Sequence, residues 1–357
     1  MMRFLIYSTH KKNLTDIERL SEVLIKFLFT FCAMTLLNSC VILPSYTPKI
    51  KTYNSISSLE KIELGGFKQS ILIRGDDLEN PILLFLHGGP GMPMMYMAHS
   101  FQNSLEKEFI VIHYDRRGAG KSYKKHIDPK SISDQQYYED AIELVQYLCK
   151  RFNKEKVFLA GHSWGTYLGS ILAYKNPELF HAYVSIGQVV NSEKARSLQK
   201  DFITKEANAL NRTEALEDLK NYGYSAHEKW LFKFGAQIHS DTSYNVFVKE
   251  GLRSPEYSLF DALKIGKGSG FSQKHIQYEI IPSAILEDSI QSYKIPCYFI
   301  VGEYDMTTPK PLIEEYFNKV NCPKKELILF KNSAHFPFYE EKELFFSHMQ
   351  RIKKGDG

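Results

Sequence analysis

The sequence predicts an α/β protein in which a mostly parallel central sheet is flanked by helices and a helical cap is inserted before the last two strands. Two observations predict it. Short, continuous apolar runs recur along the chain, the pattern of strands buried on both faces, and helical periodicity fills the gaps between them. Strand, helix, strand on this rhythm means a parallel sheet with helical crossovers.

The rhythm starts near Leu59. Ile71-Leu72-Ile73, Ile82 to Leu86, Phe109 to Ile112 and Val157 to Ala160 are the first strands. Between the last two, Tyr138, Ala141, Ile142, Leu144, Val145, Leu148 and Cys149 recur at helical spacing, which predicts a helix over Asp134 to Phe152. Ala182 to Ile186 is the next strand. The rhythm then stops for about a hundred residues: Asn191 to Ser289 is helical in pattern and rich in aromatics, among them Tyr222, Tyr224, Trp230, Phe232, Phe234 and Phe247. Cys297 to Val301 and Leu327 to Phe330 resume the sheet, and Glu341 to Ile352 closes with a helix. The expected division is therefore a signal-like segment over 1–40, a linker over 41–58, a core in two parts over 59–190 and 290–357, and the cap over 191–289. A helical insertion placed late in a parallel sheet is most simply a lid over the carboxyl ends of the strands, where ligands of such sheets bind.

The first forty residues differ in character. Phe27 to Leu37 is an eleven-residue apolar run preceded by Lys26, short for crossing a bilayer but suited to the apolar stretch of a secretory signal. Leu37-Asn38-Ser39-Cys40 follows and resembles a bacterial lipobox, which would make Cys40 the lipidated first residue of a mature, envelope-anchored chain. Asn38 and the acidic residues Asp16, Glu18 and Glu22 depart from that pattern. An uncleaved membrane anchor and a plain core helix in a cytoplasmic protein are the alternatives. The net charge of +4 comes from 45 basic against 41 acidic residues spread along the chain, so no nucleic-acid partner is indicated. The five cysteines, Cys32, Cys40, Cys149, Cys297 and Cys322, form no pair at metal-ligand spacing, and neither a metal site nor a cofactor is expected.

The chemistry lies at strand ends. Val157 to Ala160 runs into Gly161-His162-Ser163-Trp164-Gly165 and the chain continues as a helix: G-x-S-x-G with a strand before and a helix after. A serine hydroxyl is a poor nucleophile until a base takes its proton, so the motif requires a carboxylate and a histidine downstream. Asp305 follows the strand ending at Val301, and His335 follows the strand ending at Phe330. Of the histidines, His335 is the first after Asp305 and sits at a strand end. Glu303 is the rival acid, two residues earlier. His162, beside the nucleophile but pointing away, and His113, inside a strand, read as structural. Acyl transfer also builds negative charge on a carbonyl oxygen, and each donor fixed in advance at that point lowers the barrier by about 2.7–4 kcal/mol. Strand Ile82 to Leu86 ends in His87-Gly88-Gly89-Pro90-Gly91. The expected donors are the N–H groups of Trp164 and Gly89, with Gly88 the alternative to Gly89.

HGGPG at His87 to Gly91, DRRGAGKS at Asp115 to Ser122 and GHSWG at Gly161 to Gly165 together resemble the proline iminopeptidase branch of the α/β-hydrolases. The likeness extends in element order from Leu59 to Ile352 and is loose in the cap. It implies removal of an N-terminal residue, typically proline, from small peptides through an acyl-enzyme, without metal or organic cofactor. It also implies that cap glutamates hold the substrate's free amine; Glu193, Glu206, Glu228, Glu250, Glu256 and Glu287 are candidates. Trp230 stands alone in the cap, without the tryptophan-and-glutamate signature of the best-known members. Asp115 to Ser122 nearly spells a phosphate-binding loop, but aspartate stands where glycine is required and no helix follows. An esterase or amidase acting on a neutral acyl substrate, and a non-catalytic binding protein on the same fold, are the competing functions.

Overall fold

The computed structural model describes residues 45–355. The apolar run over 27–37 and Cys40 lie outside the described residues. Eight strands form one sheet: β1 (Ile56–Leu64), β2 (Phe67–Gly75), β3 (Ile82–Leu86), β4 (Ile110–Asp115), β5 (Val157–His162), β6 (Phe180–Ile186), β7 (Cys297–Gly302) and β8 (Lys325–Phe330). Their spatial order is β1-β2-β4-β3-β5-β6-β7-β8. β1 pairs with β2 and β2 with β4 antiparallel, and every pairing from β4 through β8 is parallel.

The central strands are apolar throughout because both faces are covered. Along β3, Ile82, Leu84 and Leu86 enter one core, while Leu83 and Phe85, one residue out of phase, enter the other. Helices α1 (Asp134–Phe152), α2 (Trp164–Lys175) and α8 (Lys310–Lys319) cover the first face through Leu144, Leu148, Leu168, Ile171 and Ile313. The second is covered by Met94 to Phe101 and by α9 (Lys342–Lys354) through Phe345, Met349 and Ile352. Each such side chain contributes about 1.5–3 kcal/mol on burial. Helix α1 has the predicted bounds. Ser133 Oγ accepts the Gln136 N–H at 3.2 Å at its start, and Asn153 ends it at φ 51°.

The first two strands differ from expectation. β1 begins at Ile56, inside the segment read as linker, and is joined to β2 by a tight turn at Gly65-Gly66. It is an edge strand. Its inward residues Ile62 and Leu64 alternate with Lys61 and Glu63, so it shows no continuous apolar run.

Between β6 and β7 lies the helical insertion: α3 (Ser192–Ala209), α4 (Thr213–Tyr222), α5 (His227–Lys233), α6 (Asn245–Arg253) and α7 (Leu259–His275). Ile203, Ala207, Ala215, Trp230 and Leu231 give it a small core of its own. It is pinned to the turn after β4 by Ser272 Oγ, which donates to the Gly118 carbonyl at 3.1 Å, by the Lys121–Asp261 pair at 2.7 Å, and by Tyr257, whose hydroxyl donates to Asp115. Lys121 and Asp115 of the near-phosphate-loop sequence are therefore engaged with the insertion.

Candidate active site

β5 ends at His162 and α2 begins at Trp164, so Ser163 alone makes the turn. Its backbone sits at φ 53°, ψ −126°, a conformation that costs an L-residue about 1–3 kcal/mol and persists only where the surroundings impose it. They do so here by hydrogen bonds. Ser163 N–H donates to the Ile186 carbonyl at 2.9 Å, and Thr166 donates to the Ser163 carbonyl through its N–H at 2.8 Å and its hydroxyl at 2.6 Å. The turn also needs a bare backbone at Gly165, where an added Cβ would stand 2.1 Å from the Leu86 carbonyl oxygen. Gly165→Ala is expected to destabilise the protein by about 3 kcal/mol, measured by urea unfolding, because rigid backbone rather than a movable side chain blocks the methyl.

Asp305 and His335 come together from the loops after β7 and β8. Their side chains are almost fully buried, and His335 Nδ1 lies 2.8 Å from Asp305 Oδ2. The carboxylate is held on its other sides as well. Oδ1 accepts the N–H groups of Thr307 and Thr308 at 2.8 and 2.9 Å, and Oδ2 accepts the Thr308 hydroxyl at 2.8 Å. An acceptor at Nδ1 keeps the proton there and leaves Nε2 with a free lone pair. The ring lies against Gly187, where an added Cβ would meet His335 Cε1 at 3.0 Å and Thr308 Oγ1 at 2.8 Å. Gly187 directly follows Ile186, the residue that anchors the Ser163 N–H, so the imidazole is packed beside the nucleophile turn. The described residues do not include a hydrogen bond from Ser163 Oγ to this ring. Such contacts commonly tighten only when substrate is bound.

Other sequence candidates fall outside this cluster. Glu303 is exposed and pairs with Lys310 at 2.8 Å, whereas the acid bound to His335 is Asp305. His162 places Nε2 at 2.8 Å from the His335 carbonyl oxygen, and His113 is buried in β4, stacked on Phe85 with ring centroids 4.9 Å apart. Burial holds both imidazoles below their usual range, His113 at about 3, so neither is charged at neutral pH.

Gly88 lies directly against the nucleophile: a Cβ added there would be 3.0 Å from Ser163 Cβ and 3.5 Å from its Oγ. The loop His87 to Gly91 is held from behind by Arg116. Its Nη2 donates to the carbonyls of His87, Gly88 and Pro90 at 2.6, 3.2 and 2.8 Å. In a trans peptide the N–H points opposite to the carbonyl, so binding the Gly88 oxygen turns the Gly89 N–H away from Arg116. The guanidinium is buried and lies 5.0 Å from the centre of the Trp164 ring, and burial lowers its pKa.

Three contributors escaped the sequence reading. Thr308 carried only a faint signal, a hydroxyl three residues after the acid. Gly187 carried no signal of its own, and Arg116 stood only as part of the motif Asp115 to Ser122. The candidate cap glutamates are scattered. Glu250 is buried with His99 at 3.2 Å, Glu256 with the Thr47 hydroxyl at 3.0 Å and Glu287 with Asn191 at 2.6 Å, while Glu193 and Glu228 are exposed and Glu206 is half-buried.

A strained serine at a strand-to-helix turn, beside a histidine–aspartate pair under a helical insertion, defines the class. The chain matches the family model described as alpha/beta hydrolase fold over residues 81–342, and it belongs to that family of hydrolytic enzymes. Among curated relatives, a Bacillus subtilis protein named "Probable aminopeptidase YbaC" is 33% identical over 83% of this chain and 96% of its own length. The proline iminopeptidase of Saccharolobus solfataricus is 26% identical over 74% of this chain and 82% of its own. Among solved structures, the proline iminopeptidase of Mycobacterium smegmatis superposes with a TM-score of 0.63 at 19% identity, over 84% of this chain and 98% of that one.

Proposed function

We propose that the chain is a serine aminopeptidase of the proline iminopeptidase kind, releasing N-terminal residues from small peptides. The observation that carries this reading is the His335–Asp305 pair packed beside the strained Ser163 turn, taken with the aminopeptidase names of relatives that cover most of the chain.

Ser163 Oγ attacks the carbonyl carbon of the first residue while His335 Nε2 takes its proton. The carbonyl oxygen becomes an oxyanion facing the N–H groups of Trp164 and Gly89. Collapse breaks the C–N bond, and the proton on His335 passes to the departing amine, leaving the first residue esterified to Ser163. Water then attacks that ester, His335 takes and returns a proton in the same way, and the free amino acid leaves. Asp305 keeps the imidazole in one tautomer and one orientation throughout.

One observation favours an esterase or amidase acting on a neutral acyl group. The three buried cap glutamates, Glu250, Glu256 and Glu287, are already partnered by His99, Thr47 and Asn191. A substrate panel separates the two readings. The aminopeptidase reading expects prolyl and alanyl arylamides to be cleaved and N-acetylation to reduce kcat/KM by about 100-fold, because a buried site built for an ammonium loses a charged partner worth about 3 kcal/mol. Equal turnover of free and acetylated substrates assigns the site to the esterase or amidase class.

A further inference from the structure

The corner between α6 and α7 carries an exposed apolar surface. Val248 and Leu252 on α6, and Phe260 and Leu263 on α7, are each more than half exposed, with Leu259 beside them. The exposed charges of residues 245–275 are of one sign, Arg253 also reaching Glu250 at 3.9 Å. Lys249, Arg253, Lys267 and Lys274 are exposed, whereas the carboxylates of residues 245–275 are all buried: Glu250 against His99, Glu256 against Thr47 and Asp261 against Lys121. The result is an apolar and basic face from which the acidic groups have been turned inward.

The N-terminal part of the described chain arrives at the same corner. Tyr46 N–H donates to the Pro255 carbonyl at 3.0 Å, the Thr47 hydroxyl donates to Glu256 at 3.0 Å, and Lys121 Nζ donates to Ser45 Oγ at 2.6 Å. The Tyr46 side chain is itself exposed beside the patch. The apolar run Phe27 to Leu37 ends eight residues before Ser45, a reach of at most about 29 Å. Any phase that takes up the run is therefore within reach of the patch.

We infer that the α6–α7 corner docks on the surface of an anionic bilayer, the one entered by the N-terminal run. Val248, Leu252, Leu259, Phe260 and Leu263 enter the interface, and Lys249, Arg253, Lys267 and Lys274 meet lipid phosphates. An amphipathic face of apolar and basic residues is the composition that binds such surfaces, and each basic residue at the surface contributes about fivefold in affinity. Attachment through the run makes the second contact intramolecular, so a small patch suffices. A second copy of the chain is a poorer occupant, because a two-fold pairing would set the basic residues of one face against those of the other. The inference rests on the N-terminal run being retained as an uncleaved anchor and on this surface, and is independent of the substrate.

Hydrogen exchange of the full chain on vesicles tests it. On phosphatidylcholine vesicles with about a third phosphatidylglycerol, amides of residues 248–263 are expected to exchange about fivefold or more slowly than on pure phosphatidylcholine, with the difference shrinking at high salt. The triple variant Leu252→Glu, Phe260→Glu, Leu263→Glu should lose this protection while still floating with the vesicles through its N-terminal run and keeping the wild-type thermal midpoint within a few degrees. Vesicle-bound wild type whose α6–α7 amides exchange as they do in solution would overturn the inference. So would protection that appears without vesicles and grows with protein concentration, which assigns the patch to a second copy.

Discussion

Ser163→Ala is expected to lower kcat by about 10⁶-fold with KM changed little, the loss typical when a triad nucleophile is removed. The corresponding barrier increase is about 8 kcal/mol. It is large because the hydroxyl is the only group at the turn that can bond to the substrate carbon, and alanine leaves bound substrate facing oxyanion donors with nothing to attack it. Fold stability should hardly change. The Ser163 backbone bonds to Ile186 and Thr166 do not involve Oγ, and alanine tolerates this strained φ no worse than serine. Steady-state kinetics beside a urea melt separates the two effects: a kcat loss below about 100-fold would mean that another residue is the nucleophile.

Asp305→Asn is expected to lower kcat by about 10⁴-fold near neutral pH. Asp305 accepts from His335 Nδ1, from two backbone N–H groups and from the Thr308 hydroxyl. An asparagine in the same place must present its NH₂ to one side of this donor set. Whether it meets the threonine amides or the imidazole, one donor faces another, and the cheapest escape is for His335 to move its proton to Nε2. There it can no longer accept from Ser163. Glu303→Gln is the matched control. Glu303 is exposed and bound to Lys310, a surface pair worth about 1 kcal/mol or less, so kcat should stay within about twofold of wild type. Equal losses in the two variants would remove Asp305 from its proposed role.

The parts of the molecule legible in the sequence are those where local chemistry has one physical solution. Strands β3 to β7 are covered on both faces, so they announce themselves as apolar runs, and α1 carries both a serine cap and a left-handed asparagine stop. The Ser163 turn is legible because only glycine fits beside it. β1 was obscured because an edge strand answers to solvent on one side, which removes the continuous run and lets Ile56 to Ser58 pass as linker.

Within the site, residues that face the reaction could be read, and residues that act through others could not. Asp305 and His335 stand at strand ends in the order the chemistry requires. Thr308, Gly187 and Arg116 matter through contacts made across the fold: a hydroxyl on a carboxylate, a bare Cα under an imidazole, a guanidinium behind three carbonyls. No local pattern encodes such contacts, because their partners lie in other loops. The cap glutamates were illegible for the same reason. Helical periodicity shows that they are on helices, whereas their partners, His99 and Thr47 among them, come from the other end of the sequence.

Active-site labelling tests the central claim most directly. A fluorophosphonate reacts with a serine only where a neighbouring base removes its proton and fixed donors receive the developing negative charge. One adduct per chain is predicted, mapped by peptide mass to Ser163, absent in Ser163→Ala and formed at least 100-fold more slowly in His335→Ala. A folded protein that hydrolyses its substrates while Ser163 stays unlabelled, or that labels equally fast without His335, would contradict the account.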